Sequence, residues 1–364
     1  MTYRVVHWGT GNTGKLALRG IIQHPDLELV GCYVHNVDKV GEDAGVLAGV
    51  APVGVAATSD VDALLALGAD CLSYLGDGIG PRASDAVAEM SRFLESGCNV
   101  VTTSVNQLVY PRTAAPELRE PLARACAVGG TSFFGNGADP GFGSDLLPLT
   151  LLSLMDEVDS VRVQEIVDYS HYDQAFVMRE MFGFGGPLTL TAPLFTSGAL
   201  TEYWGGVVTL VADRLGITLD DIVEVCDVAA LDHDVDVAVG RIPAGTVAAI
   251  RFEVQGMKDG APVVVVEHDT RIHPDAAPDW PRCHGGENCY RVVIEGRPQL
   301  TCELDMVNEH GGDGGLIACS MRIVNAIGAV CEAPPGLLDT TDLPFTVGRN
   351  LRLRPAGAGA GATG

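Results

Sequence analysis

Nine residues into the chain, Gly9-Thr10-Gly11-Asn12-Thr13-Gly14 follows the strand-like stretch 4–8 and opens a helix-like one. No other feature constrains the fold as much. Gly9 permits a tight turn, Gly11 lets backbone N–H groups approach a pyrophosphate, and Gly14 allows the helix to lie close on the strand. The helix N-terminus adds partial positive charge. A glycine turn alone can be purely structural; set between a first strand and a first helix, this one predicts that residues 9–14 hold a dinucleotide.

The rest of the first half continues that βαβ pattern. Strands are expected at 4–8, 27–35, 71–75, 99–103 and 131–135, and helices at 15–24, 61–67, 83–96 and 115–127. Strand and helix in alternation mean parallel strands joined by right-handed crossovers, a Rossmann-type doubly wound α/β sheet. The second half is β-rich at 160–169, 245–254, 261–272, 289–295 and 299–308, with a hairpin turn at Lys258-Asp259-Gly260. It predicts an α+β domain with a large mixed or antiparallel sheet. Ala138-Asp139-Pro140-Gly141 breaks regular structure, so the domains are read as 1–140 and 141–345. A helix at about 314–330 is expected to return to the first domain, and the Gly/Ala-rich tail 355–364 to be disordered.

Charge removes some functions. The 364 residues carry 23 Lys plus Arg against 47 Asp plus Glu, a net −24 that disfavours nucleic acid. No apolar run is expected to span a membrane; 146–155 is interrupted by Pro148, Thr150 and Ser153. The chain enters its first strand without a signal-peptide pattern, and its ten cysteines are scattered, which reads as reduced thiols in cytosol.

Cofactor choice is expected at the end of the second strand, where NAD-preferring sites place an acid for the ribose diol. Here the segment reads Tyr33-Val34-His35-Asn36-Val37-Asp38-Lys39. His35, Asn36 and Lys39 suit a 2′-phosphate, so NADP is favoured; an inward-turned Asp38 keeps NAD possible.

At this point the residues resemble a known group. The glycine loop, Lys39-Val40-Gly41-Glu42-Asp43-Ala44-Gly45, Tyr110-Pro111 and Asp139-Pro140-Gly141-Phe142 resemble dihydrodipicolinate-reductase-type N-terminal domains. More narrowly they are similar to the 2,4-diaminopentanoate dehydrogenase and native amine dehydrogenase family. Asp168-Tyr169-Ser170-His171-Tyr172, Pro278-Asp279-Trp280-Pro281 and Ala333-Pro334-Pro335-Gly336 agree with it, so the likeness runs to about Pro344. It implies NAD(P)-dependent oxidative deamination, or reductive amination of a ketone or aldehyde, in a homodimer whose second domain supplies the dimer sheet and half the pocket.

One departure stands out. The family carries a Glu-Glu-type segment just before Leu-x-Tyr-Pro, with a carboxylate that handles protons of ammonia or imine. This chain has Asn106 and Gln107 there. An amide orients a carbonyl or amine but exchanges no proton near pH 7. Ammonia-dependent turnover is therefore expected to be weak. Reduction of a carbonyl or preformed imine without ammonia, or silent NADP binding as a sensor, stand as alternatives.

A proton donor is sought at His171 and Tyr172, on the loop after the strand ending near Tyr169, where the bland alternative is a surface loop. Asp139 is expected to cap a helix beginning near Gly143. Cys283, His284 and Cys289, with His273 and His310 elsewhere, do not match metal-ligand spacing, and no metal is expected. Trp280, Phe182 and Phe184 are candidate pocket aromatics or core, and Gly183-Phe184-Gly185-Gly186 a lid or a plain connection.

Overall fold

The structure, a computed structural model, describes residues 2–286, 288–306 and 314–350. His310 and the tail 355–364 lie outside the described residues. The first half runs β1 (Tyr3–Trp8), α1 (Asn12–Gln23), β2 (Leu27–Tyr33), α2 (Ala44–Leu47), β3 (Ala57–Thr58), α3 (Val61–Leu65) and β4 (Cys71–Tyr74). It continues through α4 (Ala83–Glu95), β5 (Asn99–Thr102), α5 (Pro116–Gly129) and β6 (Ser132–Gly135). The second half holds α6 (Leu146–Leu152), β7 (Glu157–Asp168), α7 (Ala199–Arg214), β8 (Asp221–Ala230), β9 (Val235–Val237) and β10 (Gly240–Ile242). Then come β11 (Val247–Lys258), β12 (Ala261–Arg271), β13 (Cys289–Arg297), β14 (Leu300–Asp305), α8 (Gly314–Val324), α9 (Ile327–Glu332) and β15 (Gly336–Leu338).

Two sheets organise these elements. The first, in the order β15-β6-β5-β4-β1-β2-β3, is wholly parallel. Every residue of β4 and β6 is buried, as a parallel strand covered on both faces by helices must be. The second runs β14-β13-β7-β12-β11-β8 and is mixed: β7 and β12 are parallel, while the other neighbours are antiparallel. The hairpin turn at Lys258-Asp259-Gly260 joins β11 to β12, with Asp259 at φ 51° and Gly260 at φ 79°.

The chain does return to the first sheet. Ile323, Val324, Ile327 and Val330 pack with Val5, Ala17 and Ile21, and β15 pairs with β6. The expected single helix is two, α8 and α9, parted by a turn at Asn325-Ala326. The stretch Gly314–Glu332 also corrects the reading of apolar runs: by length and composition alone it is long and apolar enough for a membrane span. Here its apolar side is core beneath the first sheet, and it carries the buried Arg322.

Helix α7 and strand β8 are elements the sequence reading passed over. Gly205-Gly206 looks like a break, yet both lie inside α7. A Cβ on Gly206 would sit at ordinary contact distance, 3.5 Å, from Tyr110 Cβ, so α7 lies directly on residues 106–110. Glu224 on β8 accepts from the N–H groups of Gly198 (3.0 Å) and Thr201 (2.6 Å), which caps α7 from another element.

Helix α7 covers one face of the second sheet, with Trp204, Val207, Val208 and Val211 among the strands' inward residues. The opposite face carries arginines interleaved with carboxylates. Arg162 meets Glu253 at 2.9 Å, Arg251 meets Glu267 at 2.5 Å, and Arg291 meets Glu303 at 2.8 Å. Burial and the neighbouring Glu267 push the Asp269 carboxyl on this face up to about 7. Val223 and Val225 of β8 stand exposed.

Candidate functional site

The glycine loop is built as its spacing predicted. Gly9 has φ 101°, and a Cβ there would lie 2.4 Å from the Leu75 carbonyl oxygen. A Cβ on Gly14 would lie 2.3 Å from the Gly9 oxygen, whereas a Cβ on Gly11 would meet nothing within 4 Å. Helix α1 starts without a side-chain cap and without an acidic residue in its first turn, so its leading N–H groups suit an anion. Behind the turn, His7 is fully buried, its Nε2 2.6 Å from the Gly9 oxygen and its Nδ1 3.3 Å from Ser73 Oγ. Desolvation drives this imidazole down to about 4, so it is neutral, and it braces the turn as an Nε2–H donor.

At the end of β2 the three candidates differ. Lys39 Nζ donates to the Thr10 carbonyl (3.3 Å) and Thr10 Oγ1 (3.1 Å), which sets an ammonium beside the loop. Asn36 Oδ1 accepts from the Asp38 N–H and caps the turn carrying Lys39. His35 is exposed. Loop and helix end could hold the diphosphate of a dinucleotide, with the lysine at their edge.

A small cleft lies beyond the C-terminal ends of β5 and β6, where doubly wound sheets take ligands. Asn106, Asn136, Asp139 and Cys319 line it. Val105, directly before Asn106, sits at φ 60°, ψ 68°, a left-handed conformation that costs a β-branched residue about 1–3 kcal/mol. Ser104 Oγ holds this corner by donating to the Gly76 oxygen at 2.6 Å. The corner divides the two amides. Asn106 lines the cleft; Gln107 is buried with Nε2 donating to Glu202 Oε1 of α7 at 2.9 Å.

Asp139 does not cap a helix, contrary to expectation. Asp145 caps α6, its Oδ1 accepting from the Leu146 N–H. Asp139 instead accepts from Trp204 Nε1 at 2.7 Å and lies 2.9 Å from Nε2 of His268, a buried residue of β12. His268 Nδ1 lies 2.9 Å from Glu165 of β7, whose other oxygen accepts from Tyr290 OH at 2.8 Å. Phe252 stacks on the imidazole at 4.4 Å, and Trp204 meets it edge-on at 4.7 Å. Burial alone opposes an imidazolium here, but Asp139 and Glu165 outweigh it and raise His268 to about 10. The same pairing overcomes burial at Asp139 and holds its carboxyl below the usual range.

His268, Glu165 and Tyr290 went unnoticed in the sequence, although period two contains the signal. Val264, Val266 and His268 share one face of β12, and Val161, Val163 and Glu165 share one face of β7. A polar residue on the apolar side of each strand marks the place.

His171 is exposed, and no contact ties it to the cleft lining among the described residues. Tyr172 is half-buried against Tyr169 at 5.3 Å; burial and the neighbouring Asp173 raise its phenol. The same loop reaches the glycine loop, where Asn12 Nδ2 donates to Asp173 Oδ1 at 3.1 Å. Phe182 and Phe184 are core, 6.1 Å apart, with Trp280 packed on that core. Gly183–Gly186 is a pinned connection: the Gly185 N–H donates to the Val247 oxygen and the Val247 N–H to the Gly186 oxygen, both at 3.0 Å. The Cys283 thiol hydrogen-bonds Cys289, His284 pairs with Glu303 at 3.0 Å, and His273 lies against His233.

Comparison with known proteins places this geometry. Residues 142–352 match the family profile of the 2,4-diaminopentanoate dehydrogenase C-terminal domain. An amine dehydrogenase of Streptomyces virginiae is 44% identical over 345 residues, covering 93% of this chain and 96% of that protein. The 2,4-diaminopentanoate dehydrogenase of Acetoanaerobium sticklandii is 27% identical over 290 residues, covering 78% of this chain and 76% of the relative. The solved structure of an amine dehydrogenase from Mycobacterium smegmatis has the same fold, with a TM-score of 0.78 at 20% identity over 96% of this chain and 98% of that one. With a tight glycine turn between strand and helix and a cleft at the strand ends, the chain belongs to the 2,4-diaminopentanoate dehydrogenase family of NAD(P)-dependent oxidoreductases acting on C–N groups.

Proposed function

We propose that this chain interconverts a small amine and the matching ketone or aldehyde with NADP(H), through the imine. When bound, the dinucleotide supplies or accepts the hydride. The observation carrying this reading is the cleft that joins the Asn106 amide to the Asp139 carboxylate. Two carboxylates (Asp139, Glu165) and one imidazolium (His268) leave one net negative charge, which complements an ammonium or iminium. Asn106 orients the substrate nitrogen or oxygen by hydrogen bonds and moves no proton. That amide also favours a second reading, reduction of a carbonyl or preformed imine without ammonia. The test is NADPH oxidation with a ketone panel, with and without ammonium. Turnover only with ammonium supports the amine reading, turnover regardless supports the second, and tight NADPH binding with no turnover indicates a sensor and sinks both.

In this reading residues 1–140 hold the nucleotide, and 141–345 supply substrate contacts and the dimer surface. Lys39, fixed beside Thr10, supports NADP over NAD, with His35 and Asn36 as flanking groups. Lys39→Ala is expected to weaken NADPH binding about tenfold or more and leave NADH nearly unchanged, since only NADPH presents the extra phosphate. Fluorescence titration with both nucleotides checks this; equal losses would remove Lys39 from that role.

The sheet face opposite α7 supports a homodimer. It presents alternating Arg and Glu residues beside exposed Val223 and Val225, a surface that two-fold pairing complements with itself. Light scattering at micromolar concentration is expected to give twice the chain mass, and Val225→Glu to lower it; a native monomer overturns this. The ten free cysteines suit a reducing, cytosolic setting.

A further inference from the structure

We propose that Asp139 is the acid–base group of the cleft and that His268, clamped by Glu165, is the residue that positions it for the nitrogen of an amine or imine. The proposal rests on the amine reading above and adds what that reading lacks, a group able to exchange a proton.

Four observations converge on it. Asp139 lines the same cleft as Asn106, and the chain's own 106–107 segment holds no acid. Its carboxylate is held from two elements, by Trp204 of α7 and His268 of β12. His268 is itself held by Glu165, and Glu165 by Tyr290 of β13, so the chain of contacts runs back into the second sheet. Finally, His268 Nε2 is buried and lies 2.9 Å from Asp139 without the alignment of a hydrogen bond. The contact is ionic, and a small rotation of the carboxylate on binding substrate would convert it into one; such tightening is usual in catalytic sites.

The proton step balances simply. A bound alkylammonium gives one N–H proton to an Asp139 oxygen; the N–H bond breaks, an O–H bond forms, and the electron pair stays on nitrogen. The neutral amine then has the lone pair needed to expel a hydride. In the reverse direction Asp139 returns the proton. The charged or titratable groups facing His268 and Asp139 are Glu165, Tyr169, Tyr290 and Cys319. Burial pushes the two phenols and the thiol up, so all three stay neutral and the carboxylates and imidazolium set the local charge.

The full chain is compared with Asp139→Asn, Glu165→Gln and His268→Gln, using NADPH affinity, kcat and KM for amine and ammonium, and the pH profile of kcat/KM. Asp139→Asn is expected to keep NADPH affinity and lose about 10²–10⁴-fold in kcat. Glu165→Gln removes one carboxylate supporting the imidazolium, so the alkaline limb of the profile moves to lower pH, a shift that a merely structural role does not produce. His268→Gln is expected to lower kcat and raise KM for ammonium. A second readout works without turnover: calorimetry of cyclohexylammonium binding to the NADP⁺-loaded chain is expected to give the same heat in buffers of different ionisation heat, since the proton passes to Asp139 within the chain, and an affinity that Asp139→Asn lowers about tenfold or more. Turnover or cyclohexylammonium affinity unchanged in Asp139→Asn, or an unmoved profile in Glu165→Gln, overturns the proposal. A native chain that neither turns over nor binds any amine overturns the amine reading itself, and this proposal with it.

Discussion

Gly14→Ala is expected to cost about 10–100-fold in NADPH affinity and to lower Tm as well. The added Cβ would be 2.3 Å from the Gly9 carbonyl oxygen, a backbone atom with no rotamer to change. Gly9 is unable to retreat, because it already sits at φ 101° with its own Cα facing the Leu75 carbonyl. Helix α1 must therefore move off the turn, and overpacking of this kind typically costs about 1–3 kcal/mol. Gly11→Ala makes the contrast. Nothing in the chain lies within 4 Å of that Cβ, so stability should hold while affinity falls through contact with the ligand alone. Thermal melts paired with nucleotide titration separate the two. A Gly14→Ala protein with native Tm and native affinity would mean that the helix does not need this close approach.

Arg322→Met is expected to destabilise the chain by about 3–5 kcal/mol, the usual cost of stranding a buried charge. Arg322 comes from α8, yet its partners belong to other elements. Nε donates to Asn136 Oδ1 (2.9 Å), Nη2 to Thr340 Oγ1 (2.7 Å) and Nη1 to Thr346 Oγ1 (3.1 Å). Asn136 in turn donates to Asp145 at 2.8 Å. Burial pushes the Asp145 carboxyl up, and the Arg322 charge is the main force opposing it. Without the arginine, Asp145 is a fully buried carboxylate with no counter-charge. Adding Asp145→Asn to Arg322→Met should recover part of the loss, because it removes the stranded charge while keeping an oxygen for the Leu146 N–H. Denaturant melts of both variants measure that coupling; simple additivity of two losses would show that the pair does not interact. Asn136 lines the cleft, so the single variant should also raise KM for substrate.

What sequence reading reaches in this protein follows the range of the forces involved. Local signals were legible: strand runs of the nucleotide sheet, glycines at the turn and Lys258-Asp259-Gly260 each depend on neighbours a few residues away. The elements that were missed depend on distant partners. Gly205-Gly206 is a helix breaker by propensity, but α7 runs through it on the packing of its neighbours, and Glu224 supplies a cap from 23 residues beyond Thr201. The stretch 314–332 has the composition of a membrane span and becomes core only because α1 and β15's sheet receive it.

The candidate site divides the same way. Sequence by itself determined the glycine turn, because G-x-G-x-x-G between strand and helix is a complete local instruction, and it showed two amides and no acid at residues 106–107. Which amide faces the cleft was decided by the left-handed turn at Val105 and by Glu202, 95 residues from Gln107. That a carboxylate stands there at all was decided by tertiary structure. Asp139, Glu165 and His268 are separated by tens of residues and come from three segments, and only the pairing of β7 with β12 beneath α7 brings them within 3 Å. A sequence records which groups exist; the charge each one carries depends on burial and neighbours, and those are properties of the folded chain.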